Sequence, residues 1–170
     1  MAFTFKAIAT VTVGSGGAST IDFTSIPATY TDLLIKISSR DGRSATGTNI
    51  IINFNGSNTN LSYRRLTGNG TSAGSNSGTG GVVGYSVSAT ATTDTFSNLE
   101  IYIPNYTSAN YKSCSSDAVN ENNATSSFMA LVATLWSDTS AITSISLFPT
   151  VAATNFVQYT TATLYGIKNS

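Results

Sequence analysis

Residues Thr95–Tyr106 read Thr-Phe-Ser-Asn-Leu-Glu-Ile-Tyr-Ile-Pro-Asn-Tyr, and the alternation inside them decides the fold class. Leu99, Ile101 and Ile103 fall on one face of an extended segment, with Phe96, Asn98, Glu100 and Tyr102 on the other. That period of two is the signature of a strand with one face in a core and the other in water. Pro104 cannot donate to a ladder and closes the strand, and Asn105 suits the turn that follows.

The same grammar recurs outward in both directions. Toward the N-terminus, strands are expected over Phe3–Val13, Thr20–Phe23, Tyr30–Arg40, Asn49–Asn55, Leu61–Leu66 and Val82–Ala89, with Leu61–Leu66 as the return strand after the Asn55-Gly56 turn. Toward the C-terminus they are expected over Tyr106–Ser113, Phe128–Trp136, Ala141–Phe148, Asn155–Tyr159 and Thr161–Ile167, with Asp117–Ser127 as a polar loop. Phe128–Trp136 is the most apolar run, and its shortness and flanking turn residues predict a strand buried on both faces. Gly68–Gly84 holds seven of the fourteen glycines and almost nothing apolar, which predicts a long flexible loop. No stretch carries a helical apolar stripe. The expectation is an all-β chain with little or no helix: one domain, residues 1–170, folded as a two-sheet antiparallel sandwich of jelly-roll type.

Composition narrows the chemistry. Eight basic and eight acidic residues cancel, and only 9% of the chain is charged against the roughly 25% of ordinary domains. No field is present to collect nucleic acid or an anionic membrane. Ser and Thr supply about a third of the residues, against which strands and turns already claim both types. No basic segment followed by an apolar one opens the chain, so export by that route and membrane spanning are not expected.

There is no histidine, which excludes Ser-His-Asp and Cys-His catalysis and removes the commonest metal ligand. The single Cys114 has no partner for an internal disulfide and reads as a small apolar residue. Glu100 with Glu121, Asp94, Asp117 or Asp138 supplies nominal carboxylate pairs for glycoside chemistry. Asp41-Gly42, or Asp117 with Asn120 and Asn122, supplies scattered oxygens for calcium without the spacing of a loop that binds it. No catalytic residue, cofactor or metal is expected. The candidate contacts are Tyr63, Tyr85, Tyr102, Tyr106 and Tyr111, which suit either a subunit interface or a sugar face, together with Arg64-Arg65. Alternation sends these two arginines to opposite faces, so at most one enters the sandwich. Phe3–Val13, ahead of a glycine break, is a candidate anchoring arm.

Several ordered motifs carry a resemblance that covers residue 20 to the end. They are Ser25-Ile26-Pro27-Ala28-Thr29-Tyr30-Thr31-Asp32-Leu33, Phe54-Asn55-Gly56, Tyr63-Arg64-Arg65-Leu66, Ile101-Tyr102-Ile103-Pro104-Asn105-Tyr106, Trp136 with Ala141-Ile142-Thr143-Ser144-Ile145, and Ala162-Thr163-Leu164-Tyr165-Gly166-Ile167. Together they resemble a family of small virion proteins of tailed phages. The resemblance implies a jelly-roll-like protein made in the host cytoplasm and placed on the particle surface. There it would be a head decoration (cement) protein over junctions of the capsid lattice, commonly a homotrimer in contact with the major capsid protein. The alternative is a tail- or head-fibre component that binds host-surface glycans. The family carries no catalytic residues to transfer.

Overall fold

The computed structural model describes residues 4–123 and 127–168. Phe3, the start of the expected first strand, and residues 124–126 of the expected polar loop lie outside them. Among the described residues the chain forms twelve strands and no helix. They are β1 (Thr4–Thr12), β2 (Ile21–Phe23), β3 (Asp32–Ser39), β4 (Gly47–Phe54), β5 (Leu61–Gly68) and β6 (Ala73–Thr79), then β7 (Val82–Val87), β8 (Ser97–Ile103), β9 (Lys112–Val119), β10 (Met129–Trp136), β11 (Ile145–Pro149) and β12 (Thr161–Lys168).

Every pairing between these strands is antiparallel, and they form two sheets, ordered β1-β12-β3-β8-β9-β10-β5-β6 and β2-β11-β4-β7. With β5, β6, β9 and β10 set aside, two four-stranded sheets remain, β1-β12-β3-β8 and β2-β11-β4-β7. That is the strand order of a jelly roll, two Greek keys packed face to face. The four strands set aside are two inserted hairpins, β5–β6 between β4 and β7 and β9–β10 between β8 and β11. They pair with each other through β10 and β5 and extend the large sheet beyond the jelly roll.

The core sits between the sheets and is filled from the alternate positions that the sequence marks: Leu33, Ile35 and Ile37 of β3, Leu99, Ile101 and Ile103 of β8, Ile50, Ile52 and Phe54 of β4. Phe54 packs against Trp136, with ring centroids 5.3 Å apart. β7 lies over the inserted β9 and β10, where the large sheet offers small side chains instead of large ones. Gly84 faces Ala118 and Leu99 closely enough that a Cβ on it would stand 2.7 Å from the Ala118 Cβ. The Ser116 and Thr134 hydroxyls donate to the Val83 and Val82 carbonyls, each at 2.6 Å, supplying partners to the strand at the edge of the small sheet.

Loops are held by single polar side chains. Asn55, in the left-handed region at φ 52°, accepts from the Thr143 and Ser144 amides and donates to the Ala141 carbonyl. Arg40 closes the 88–96 loop by donating to the carbonyls of Ala89, Ala91, Thr92 and Thr95. Lys112 is buried, its ammonium donating to the Ser108, Asp138 and Ser140 carbonyls and lying 5.4 Å from the centre of the Trp136 ring.

Six expectations need correction. Residues 68–84 are not one flexible loop: β6 pairs with β5 over its whole length, and it escapes pattern reading because both of its faces are exposed. β5 is not the return strand of β4; it crosses to the large sheet, while β4 pairs with β7 and β11. Residues 106–111 form turns, and the strand expected there runs instead over Lys112–Val119, where Lys112, Cys114, Ser116 and Ala118 face inward without an apolar pattern. The polar loop accordingly starts after Val119 rather than at Asp117. Residues 155–159 form no strand, only isolated bridges from Phe156 to Ala18 and Asp41. β10 buries one face, not two: Ala130, Val132, Thr134 and Trp136 point in, whereas Met129, Leu131, Ala133 and Leu135 are exposed. Outside these six, β1, the candidate arm, lies along β12 of its own subunit, with a bulge between Ala7 and Ala9.

Candidate functional site

The expected contact residues divide among five places, Arg64 standing apart on the outer face of β5. Tyr106 is buried, and its hydroxyl donates to the Pro27 carbonyl, so it presents no surface to a partner or a sugar. Tyr111 is exposed in the turn before β9. Tyr102 stands on the outer face of β8, its hydroxyl donating to Asp32 Oδ2 at 2.9 Å. Partial burial and that carboxylate both raise its pKa above the ordinary phenol value.

Tyr63, Arg65 and Tyr85 meet at the β7 edge. β5 alternates, so Arg65 points toward the small sheet and Arg64 away from it. The Arg65 guanidinium lies 4.8 Å from the centre of the Tyr85 ring and 6.0 Å from that of Tyr63. Its Nη1 donates to Asn49 Oδ1 at 2.9 Å and its Nε to Asn76 Oδ1 at 3.1 Å. Tyr85 stacks in turn on Phe128, centroids 5.4 Å apart, and its burial raises its pKa. Two of the guanidinium's donating nitrogens are therefore engaged within the chain. The cluster ties β6, through Asn76, to β4 and β7, and its chemistry is that of a clamp.

The carboxylates are dispersed. Glu100 pairs with Lys36 at 2.9 Å on the outer face of the large sheet; Asp117 is its register partner on β9. Glu121 and Asp138 accept from nearby amides, which lowers the pKa of each. Among the described residues no three of His, Cys, Asp and Glu come together. Cys114 is buried, and desolvation pushes its thiol up to about 12.

The feature that sequence reasoning missed is the outer face of the inserted strands. The register sets Met129 beside Gly68 and Val119, Leu131 beside Leu66 and Asp117, Ala133 beside Arg64 and Ser115, and Leu135 beside Ser62 and Ser113. Directly opposed residues share a face, so these four rows form one surface. Leu66, Met129 and Leu131 are 61%, 62% and 62% exposed. An open groove of about 760 Å³ runs between Leu131 and Ala133 of β10, Arg64 and Leu66 of β5, and Ser75 and Ser77 of β6. A second apolar hollow continues it along Leu66, Val119, Met129 and Leu131. The letters that signal this patch are the odd positions of β10, which read as core because nothing polar interrupts them. No protein family, curated protein or solved structure matches this chain.

Proposed function

We propose that this chain is a non-enzymatic structural subunit of a phage particle, a decoration protein that bridges capsomers and stabilises the shell. The observation that carries the reading is the outer face of β9, β10 and β5. On a chain that is only 9% charged, three large apolar side chains stand more than half exposed side by side on one sheet face. A contiguous apolar patch of this kind marks a site of protein contact. The motifs that carry the phage resemblance support the same reading: Asn55 with residues 141–144, Pro104-Asn105 after β8, and Gly166 against Tyr30 are devices that hold a scaffold rigid.

In this reading, packed DNA presses the shell outward, and a subunit lying across a capsomer junction adds contact area that must be broken before the shell opens. Oligomerisation, with the trimer that the resemblance implies as one form, multiplies weak individual contacts by raising their effective concentration. The test is to image whole particles for the subunit and to compare intact with stripped particles under heating and osmotic shock. Earlier genome loss from the stripped particles is expected, and equal tolerance overturns the proposal. Binding of the purified protein to host-surface glycans would move the assignment to a fibre module.

A further inference from the structure

The apolar patch has charge only at its margins. Arg64 lies on its β5 side and Asp117 on its β9 side, with β10 between them. Among the described residues the one ion pair is Lys36–Glu100; Arg64 forms none, and Asp117 is in no such close pair, feeling Lys36 only at longer range. Asp117 also stands beside Glu100, and the two carboxylates share the single ammonium of Lys36, which leaves this margin with one net negative charge. The patch thus carries a basic edge and an acidic edge across an apolar strip.

That arrangement is complementary to itself. A two-fold axis in the plane of contact, passing midway between Arg64 and Asp117 and at right angles to the line joining them, exchanges the two positions. Arg64 of each copy then faces Asp117 of the other. The midpoint falls on β10 between Leu131 and Ala133, because Arg64 is in register with Ala133 and Asp117 with Leu131. The same rotation carries Leu131, a large side chain, over the groove lined by Arg64, Leu66 and Ala133, where Ala133 leaves room for it. Three strands at ~4.8 Å spacing and four rows at ~6.8 Å cover roughly 390 Å² in plan before side-chain relief is counted, about half of the ~800 Å² per partner of a standard interface, so the pair is a modest, reversible one.

We propose that a second copy of this chain docks on the outer face of β9–β10–β5 about that two-fold axis, with Leu131 seated in the partner's groove and Arg64 facing the partner's Asp117. This rests on the reading of the face as a protein interface and commits it to one occupant and one symmetry. The pairing joins two subunits back to back through their inserted hairpins and leaves both jelly rolls free for other contacts.

Analytical ultracentrifugation of the full-length protein across micromolar concentrations tests it, with circular dichroism as the control for folding. The wild type should sediment as a dimer. Leu131→Asp, at a position open to solvent in the monomer, should keep the strand spectrum and raise the dimer Kd at least about 30-fold, the effect of losing a central anchor. Arg64→Asp and Asp117→Arg should each weaken the dimer, and the two together should restore it, since the swapped charges meet again across the axis. A wild-type monomer, a trimer, a dimer that survives Leu131→Asp, or a double variant no tighter than the singles overturns the two-fold assignment. Because these are solution measurements, a subunit found on particles but monomeric in solution would defeat this inference and leave the structural-protein reading standing.

Discussion

Replacing Asp41 by asparagine should stabilise the protein at neutral pH, an unusual direction for a change at a fully buried site. Asp41 Oδ1 accepts from the Arg43 amide at 3.0 Å and from the Thr48 hydroxyl at 3.4 Å. With the Thr48 hydrogen given to Asp41, the Ser88 hydroxyl 2.9 Å away is left to supply the hydrogen between the two hydroxyls, while the Ser86 hydroxyl donates to the Val87 carbonyl at 3.1 Å. In that arrangement all three hydroxyl hydrogens are committed, and Asp41 Oδ2 is buried without a donor. Burial accordingly raises the pKa of this carboxyl above its ordinary 3.8, against the opposing pull of the Arg43 amide and the nearby hydroxyls. The Asp41→Asn side chain would keep both contacts of Oδ1 and place an amide where Oδ2 stands, next to serine oxygens that still have lone pairs to give. Removing an unsatisfied buried acceptor, here a charged one, is worth about 1–3 kcal/mol. With a urea slope of about 2 kcal/mol per molar, a gain of about 2 kcal/mol moves the midpoint up by about 1 M.

The sign of the pH dependence follows from linkage. The folded state holds the Asp41 proton more tightly than the unfolded chain, so the wild type loses stability from this group as pH rises from the ordinary 3.8 through the raised folded value. The Asp41→Asn variant loses nothing over that interval. Its advantage should therefore be full at about pH 7 and should vanish near pH 3, where both side chains are neutral; effects of all other carboxylates are common to the two proteins and cancel. Trp136, the single tryptophan and a buried one, reports unfolding by fluorescence. A variant that unfolds at lower urea than the wild type at neutral pH, or whose advantage is the same in acid and at neutrality, would refute the hydrogen count.

Gly84→Ala should destabilise by about 1–3 kcal/mol, because its Cβ would meet the Ala118 Cβ at 2.7 Å and Leu99 Cδ1 at 2.9 Å. Adding Ala118→Gly should return part of the loss, and thermal melts showing additive effects would rule out that contact. Cys114, with its thiol pushed up to about 12, should label with a thiol reagent in mildly alkaline buffer only as fast as the protein unfolds; immediate labelling of the native protein would place the thiol at the surface.

How legible all this was depended on whether a strand had one face in the core and one in water. β8 satisfies that condition, and its inward residues, its end at Pro104 and the outward Tyr102 could all be read directly. The opposite faces of Arg64 and Arg65 followed from the same alternation. β6 fails the condition because both faces of Ala73–Thr79 are wet, and pairing to β5 is held by backbone ladders that leave no trace in side-chain pattern. β9 fails for another reason: close approach of β7 demands small inward residues, so Cys114, Ser116 and Ala118 occupy core positions without looking apolar. β10 fails in the opposite sense, since its outward residues are apolar although they face away from the core. The jelly roll was therefore legible, and the inserted hairpins, with the candidate site on them, were not.

The two halves of the large sheet's outer face show that this apolarity is local rather than a by-product of low charge. On the jelly-roll half, outward residues engage one another: Thr10 with Thr163 at 3.0 Å, Lys36 with Glu100, Tyr102 with Asp32, and Phe5 stacked on Tyr165 at 4.7 Å. On the inserted half, the same face of the same sheet carries Leu66, Met129 and Leu131, exposed and adjacent. Neither helix nor loop among the described residues covers them, and the small sheet lies on the opposite side. The inserted strands gain nothing in folding from these side chains, since Ala130, Val132 and Trp136 already anchor β10 from within. Leucine and methionine on the outside are stabilising only where something else removes them from water. If the proposed interface is right, truncating the outward side chains of the hairpins should change association and leave the stability of the isolated subunit nearly untouched.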